Sequence, residues 1–190
     1  MHRSTHALLV ALAVAAILAG SSGEAPANPA IPLAGTAPTT NVTIGTSSLV
    51  QDVKALGIDL TKSMESLSKA EKIKLMPLLN KALGMSCIGC HEAGDYGKQT
   101  PLVAVSRRMW DEYVVALRDT KGSPVFCDTC HQGHEKLLAR TDGASVNAIM
   151  ATDYAGKLAR ADKKPNDCKS CHGPNIQPKI IAKLWGIALK

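Results

Sequence analysis

Six cysteines stand in the chain, and each belongs to a copy of one short pattern. The copies are Cys87-Ile88-Gly89-Cys90-His91, Cys127-Asp128-Thr129-Cys130-His131 and Cys168-Lys169-Ser170-Cys171-His172. Two thiols three positions apart, followed at once by an imidazole, form the c-type haem attachment signature. Each thiol adds across one porphyrin vinyl group, sulfur to one carbon and hydrogen to the other. The adjacent histidine then lies under the iron as proximal ligand. The cofactor expected is therefore haem c, three copies, covalently held by Cys87, Cys90, Cys127, Cys130, Cys168 and Cys171. The proximal iron ligands are His91, His131 and His172.

Two other chemistries use paired cysteines. A zinc half-site or a redox pair accounts for one C-x-x-C. Neither accounts for three, each with its own histidine and no cysteine left over. A disulfide between residues three apart closes a very small loop and stabilises little.

The sixth iron position decides what such a protein does. Beyond the N-terminal leader the histidines are His91, His131, His134 and His172. Three are proximal, so bis-histidine ligation at all three irons is excluded by counting. Methionine is the other common partner, and its soft thioether favours the ferrous state. Met109 precedes Cys127 by 18 residues, and Met150 precedes Cys168 by 18. Met76 precedes Cys87 by 11 and is followed by Pro77. These three are the expected distal ligands. Met85 is too close to Cys87 to reach over a porphyrin, and Met64 is remote. His134 reads as a helix cap or propionate contact.

The elements that must position these residues recur with them. The motifs start 40 and 41 residues apart, a repeat period. After Met109 and Met150 come a tyrosine at +4 (Tyr113, Tyr154) and a leucine at +8 (Leu117, Leu158), one face of a helix. Thr100-Pro101 predicts a capped helix start, with the helix running to about Asp119. In the third repeat Ser145 is the expected N-cap and Ala161 the end. In the first, Ser68-Lys69-Ala70-Glu71 is a capping box, Gly84 a C-cap, and Pro77 a predicted kink. Residues 49–60 form a short strand or helix, and 180–189 a final amphipathic helix whose Trp185 covers a haem edge. The fold class is mostly α: a small multihaem cytochrome c in which each methionine-bearing helix precedes a haem-attachment turn. Only six aromatic residues are available, so the porphyrins supply much of the core.

Residues 1–25 read as a signal peptide, with an apolar run from Ala7 to Gly20 that is short for a bilayer span. An uncleaved anchor is the alternative. Residues 26–48 are rich in Pro, Ala, Thr, Gly and Ser and read as a flexible linker. The trihaem domain spans 49–190. Export to the periplasm agrees with the cofactor, because bacterial c-type haem is attached outside the cytoplasm. Formal net charge is +6. Three haems would add six propionates and, when ferric, three positive charges, so the basic polypeptide does not argue for nucleic acid.

The chain resembles the cytochrome c subunit of photosynthetic reaction centres and its multihaem relatives in non-photosynthetic bacteria. The residues that carry the resemblance are Met76-Pro77-Leu78-Leu79-Asn80-Lys81-Ala82-Leu83-Gly84-Met85-Ser86-Cys87, Ser106-Arg107-Arg108-Met109 and Cys127-Asp128-Thr129-Cys130-His131-Gln132-Gly133. It covers roughly residues 50–175. It implies a mostly helical fold, axial ligation by Met76, Met109 and Met150, and electron transfer along a haem chain. This chain departs from that subunit in having three motifs rather than four and no distal-histidine equivalent.

The expected function is periplasmic electron transfer, to or from redox proteins such as a membrane electron-transfer complex or a photosynthetic reaction centre. The alternative is a haem enzyme or gas sensor with one open iron, for which the first site beside Pro77 is the candidate. No nucleophile triad, phosphate loop or paired-carboxylate site points to an enzyme, and the catalytic set is empty.

Overall fold

The computed structural model describes residues 41–138 and 142–189. The signal peptide read over 1–25 and residues 26–40 of the linker read over 26–48 lie outside the described residues. About half of the structure is helical, with one small two-stranded sheet, so the fold is mostly α. Among the described residues no helix is long and apolar enough to cross a membrane.

Residues 41–48, whose composition places them in the linker, pack against the domain. Val42 is buried, and its N–H donates to the Leu137 carbonyl at 2.9 Å. Ser47 Oγ donates to Asp128 Oδ1, while the backbone N–H groups of Ser48 and Leu49 reach Asp128 Oδ2 at 2.8 and 3.2 Å. Short polar residues look like linker in composition, but here they supply donors to a carboxylate inside the second C-x-x-C-H motif.

Helix α1 (Val50–Ala55) settles the first ambiguous stretch and buries Val50 and Val53. Helix α2 (Lys69–Leu83) starts at the expected capping box: Glu71 N–H donates to Ser68 Oγ, and Ser68 N–H to Glu71 Oε2. It runs on through Pro77 and ends at Gly84, left-handed at φ 63°. α1 and α2 enclose the main core. Leu49, Val53, Leu75, Trp110 and Phe126 are its largest fully buried side chains. Trp110 and Phe126 meet edge to face at 6.2 Å, and Trp110 Nε1 donates to the Lys62 carbonyl. The ring N–H, costly to bury alone, is therefore satisfied.

The second and third repeats share one design. Helix α4 (Pro101–Met109) begins at Thr100, whose hydroxyl accepts from Val103 N–H. At Met109 the helix widens into a π-helical turn, Trp110–Val115, and the chain then enters strand β1 (Leu117–Asp119). Helix α6 (Gly143–Ile149) gives way at Met150 to the π-helical turn Met150–Ala155 and then strand β2 (Leu158–Arg160). Two sequence expectations change here. The helices do not reach Asp119 or Ala161, because Leu117 and Leu158 turn inward to a small cluster with Val125. The cap is Asp142, not Ser145: its carboxylate accepts from the N–H groups of Ala144 and Ser145.

β1 and β2 pair antiparallel, Leu117 with Arg160, Arg118 with Ala159 and Asp119 with Leu158. At the C-terminus the expected long helix is a single π-helical turn, Ile180–Leu184, stopped by Gly186 at φ 66°.

Candidate functional site

Each C-x-x-C-H motif folds as a short helix: α3 (Cys87–Cys90), α5 (Cys127–His131) and α7 (Cys168–His172). Helical spacing puts the two sulfurs on one face, one turn apart. That placement is what two thioethers on one porphyrin edge require. The six thiols are unpaired. Burial pushes the Cys127 and Cys130 thiols up to about 12, and neighbouring Cys171 adds to the rise at Cys130. Without haem these sulfurs stay protonated in an apolar setting.

The local framework of α5 and α7 is shared. The Phe126 N–H donates to Thr129 Oγ1 at 3.2 Å, and the Asp167 N–H to Ser170 Oγ at 3.0 Å. A hydroxyl at the third position of the motif thus closes the turn from inside. Asp167 reciprocates, its Oδ1 accepting from Ser170 N–H. The first motif has Gly89 at this position.

The histidines divide in the same way. His131 Nδ1 lies 2.8 Å from the His134 carbonyl, and His172 Nδ1 lies 2.8 Å from the Gln177 carbonyl. A carbonyl only accepts, so Nδ1 holds the proton and Nε2 keeps its lone pair. This is the arrangement in which a metal-ligating histidine is oriented by a main-chain carbonyl. Burial lowers the His131 pKa below its ordinary value, which disfavours the charged ring. His91 Nδ1 is also buried but meets no hydrogen-bond partner, nor does the nearby Ser86 Oγ. The Tyr96 ring stands edge-on to His91 at 5.8 Å.

The methionines occupy comparable positions in repeats two and three. Met109 ends α4 and Met150 opens its π-helical turn, and both are half-buried. π-helical turns concentrate at functional sites, because the widened backbone re-aims a side chain. Met76 is half-buried and packs on the main core. One turn further along α2, Asn80 Nδ2 lies 3.4 Å from Cys87 Sγ, so the helix face that carries Met76 is turned to the first motif. Met85 and Met64 are buried core residues.

Backbone contacts tie the second repeat to both of the others. The Gly133 N–H, just after α5, donates to the Ala82 carbonyl at 2.8 Å. A side chain on Gly84 would put its Cβ 2.0 Å from the Gly133 carbonyl oxygen, so the two backbones touch. On the other side the β1–β2 ladder ties the second repeat to the third. Trp185 from the C-terminal turn lies between Tyr113, at 6.2 Å, and the Arg108 guanidinium, 5.7 Å from the ring centre.

Among the described residues no three His, Cys, Asp or Glu side chains gather into one metal cluster. Sequence reasoning missed the parts contributed by backbone: the carbonyls of His134 and Gln177, and the Gly133–Ala82 contact. It also missed the hydroxyls of Thr129 and Ser170, for which the signal is their shared third position in the motif. No family model matches the chain, and no characterised protein or solved structure is similar to it.

Proposed function

We propose that the protein is a trihaem c-type cytochrome that carries electrons in the periplasm. The observation that carries this reading is the recurrence of one unit. Three short helices each present two cysteines and a histidine, and two of those histidines have Nδ1 engaged by a main-chain carbonyl. The donor set suits haem c. Structural zinc draws four ligands to one point, whereas each motif offers two thiols and one imidazole.

In this reading Cys87 and Cys90, Cys127 and Cys130, and Cys168 and Cys171 hold the three porphyrins. His91, His131 and His172 bind iron through Nε2. Bound haem supplies a one-electron ferric/ferrous couple. The chain supplies the rest. The carbonyls of His134 and Gln177 fix ring orientation at two sites. Met76, Met109 and Met150 are the proposed distal ligands; their thioethers favour the ferrous form and close the iron to other ligands. Val114 is buried in the apolar cluster against which Cys127 packs. The haem-lined core, the reaction-centre-cytochrome resemblance, the signal peptide and a redox partner at the membrane belong to the same proposal.

Near-infrared magnetic circular dichroism of the oxidised protein tests the ligand set. Methionine-to-ferric charge-transfer intensity equal to three haems supports a closed electron carrier. Intensity for two or fewer, with carbon monoxide binding on reduction, supports the haem enzyme or gas sensor instead.

A further inference from the structure

We propose that the haem held at His91 has a higher reduction potential than the haem held at His172, so that electrons entering at the third motif come to rest at the first. This deepens the electron-transfer reading above and rests on it.

The second repeat bonds each of the other two. On one side its following turn bonds the end of α2, next to the Asn80–Cys87 contact. On the other side the β1–β2 ladder joins its repeat to the third. The second repeat thus contacts both of the others, and the relative potentials of the first and third haems set the direction of net transfer between them.

The first and third motifs differ at the proximal ring. His172 Nδ1–H donates to the Gln177 carbonyl at 2.8 Å. Such a bond makes the imidazole a stronger base and a stronger electron donor to iron, which favours the ferric state. His91 Nδ1 is buried with no acceptor. Its ring stays a weaker donor, and the ferrous state gains. The first turn also lacks the internal hydroxyl of the other two: Gly89 stands where Thr129 and Ser170 place hydroxyls, and Ser86 Oγ is itself buried without a partner. Exposure acts in the same direction. Cys168 is exposed, whereas both cysteines of the first motif are half-buried. A less solvated site disfavours the more charged ferric form.

The test labels one haem at a time in the full-length holoprotein. Cys90→Ala leaves a single thioether and one intact vinyl at the first site; Cys171→Ala does the same at the third. The retained vinyl extends the conjugation of that porphyrin and moves its α band to longer wavelength, so its redox titration is read separately. The expected result is that the shifted band of Cys90→Ala appears at higher potential than that of Cys171→Ala. Equal potentials, or the reverse order, overturn the proposal. Cys87→Ala and Cys168→Ala label the same two haems from the other sulfur and replace any variant that fails to mature. Absence of covalent haem from the wild-type protein is a different outcome: it removes the electron-transfer reading itself.

Discussion

Arg118 and Ala159 face each other at the centre of the β1–β2 ladder, and they are the same position in two successive repeats. The flanking pairs, Leu117 with Arg160 and Asp119 with Leu158, exchange when one repeat is shifted onto the next. The second and third repeats are thus related by a local two-fold axis through this ladder. The axis makes Met109 equivalent to Met150 and α5 equivalent to α7. The first repeat has no strand of this kind and docks differently, through the end of α2.

If Met109 and Met150 are equivalent distal ligands, losing either thioether weakens ferrous stabilisation at a single haem. Met109→Ala and Met150→Ala each lower one potential by on the order of 0.1 V, a fraction of the ~0.8 V that axial ligands command. A spectroelectrochemical titration in which all three couples stay in place would remove that methionine from the ligand set.

Gly84 makes two demands on its position. Its φ is 63°, and a Cβ would lie 2.0 Å from the Gly133 carbonyl oxygen. Gly57 also has positive φ, at 75°, but a Cβ there meets nothing within 4 Å. Gly57→Ala therefore costs roughly 1–2 kcal/mol from backbone strain alone. Gly84→Ala costs clearly more, because the α2–α5 contact must open. Urea denaturation of both holo variants checks the difference; equal losses would mean that the contact is not rigid.

Asp128 anchors residues 47–49 through Ser47 Oγ, Ser48 N–H and Leu49 N–H. Asp128→Ala leaves those donors without the carboxylate. The expected loss is about 1.5–3 kcal/mol, the range for hydrogen bonds to a charged group. Proteolysis before Leu49 should accelerate in the variant, read by mass spectrometry of the fragments. An unchanged cleavage rate would show that the segment is held by Val42 instead.

Hydrogen bonds from Ser68 hold the Glu71 carboxyl below its ordinary value of 4.5. A depressed folded-state pKa contributes stability that is present above the unfolded value and lost as pH falls through the folded one. The stability gap between wild type and Glu71→Ala should therefore be full at pH 6 and shrink as the pH drops below about 4.5. Thermal melts across that range check it, and a gap independent of pH would assign the effect to helix propensity.

The parts of the fold written in local chemistry were legible. Ser68 and Glu71 announced α2, Thr100-Pro101 announced α4, and the 41-residue recurrence announced matching second and third repeats. The parts set by tertiary contact were not. Leu117 and Leu158 keep helical spacing from their methionines, yet both leave the helix because cross-repeat pairing buries them. Residues 41–48 carry linker composition but find a carboxylate 80 positions away. At the candidate sites the cysteines, histidines and methionines could be named from type and spacing. The carbonyls that separate His131 and His172 from His91 could not, since every residue has one and only the fold selects which is used.

The central claim is that the three motifs carry haem. Intact-mass spectrometry of the protein purified from a periplasm competent in c-type haem attachment, with pyridine haemochrome quantification of the same sample, addresses it most directly. The account predicts a chain heavier by three haems that survive denaturation and acid-acetone extraction. A chain of polypeptide mass with six titratable thiols, produced where a control c-type cytochrome matures, would contradict it.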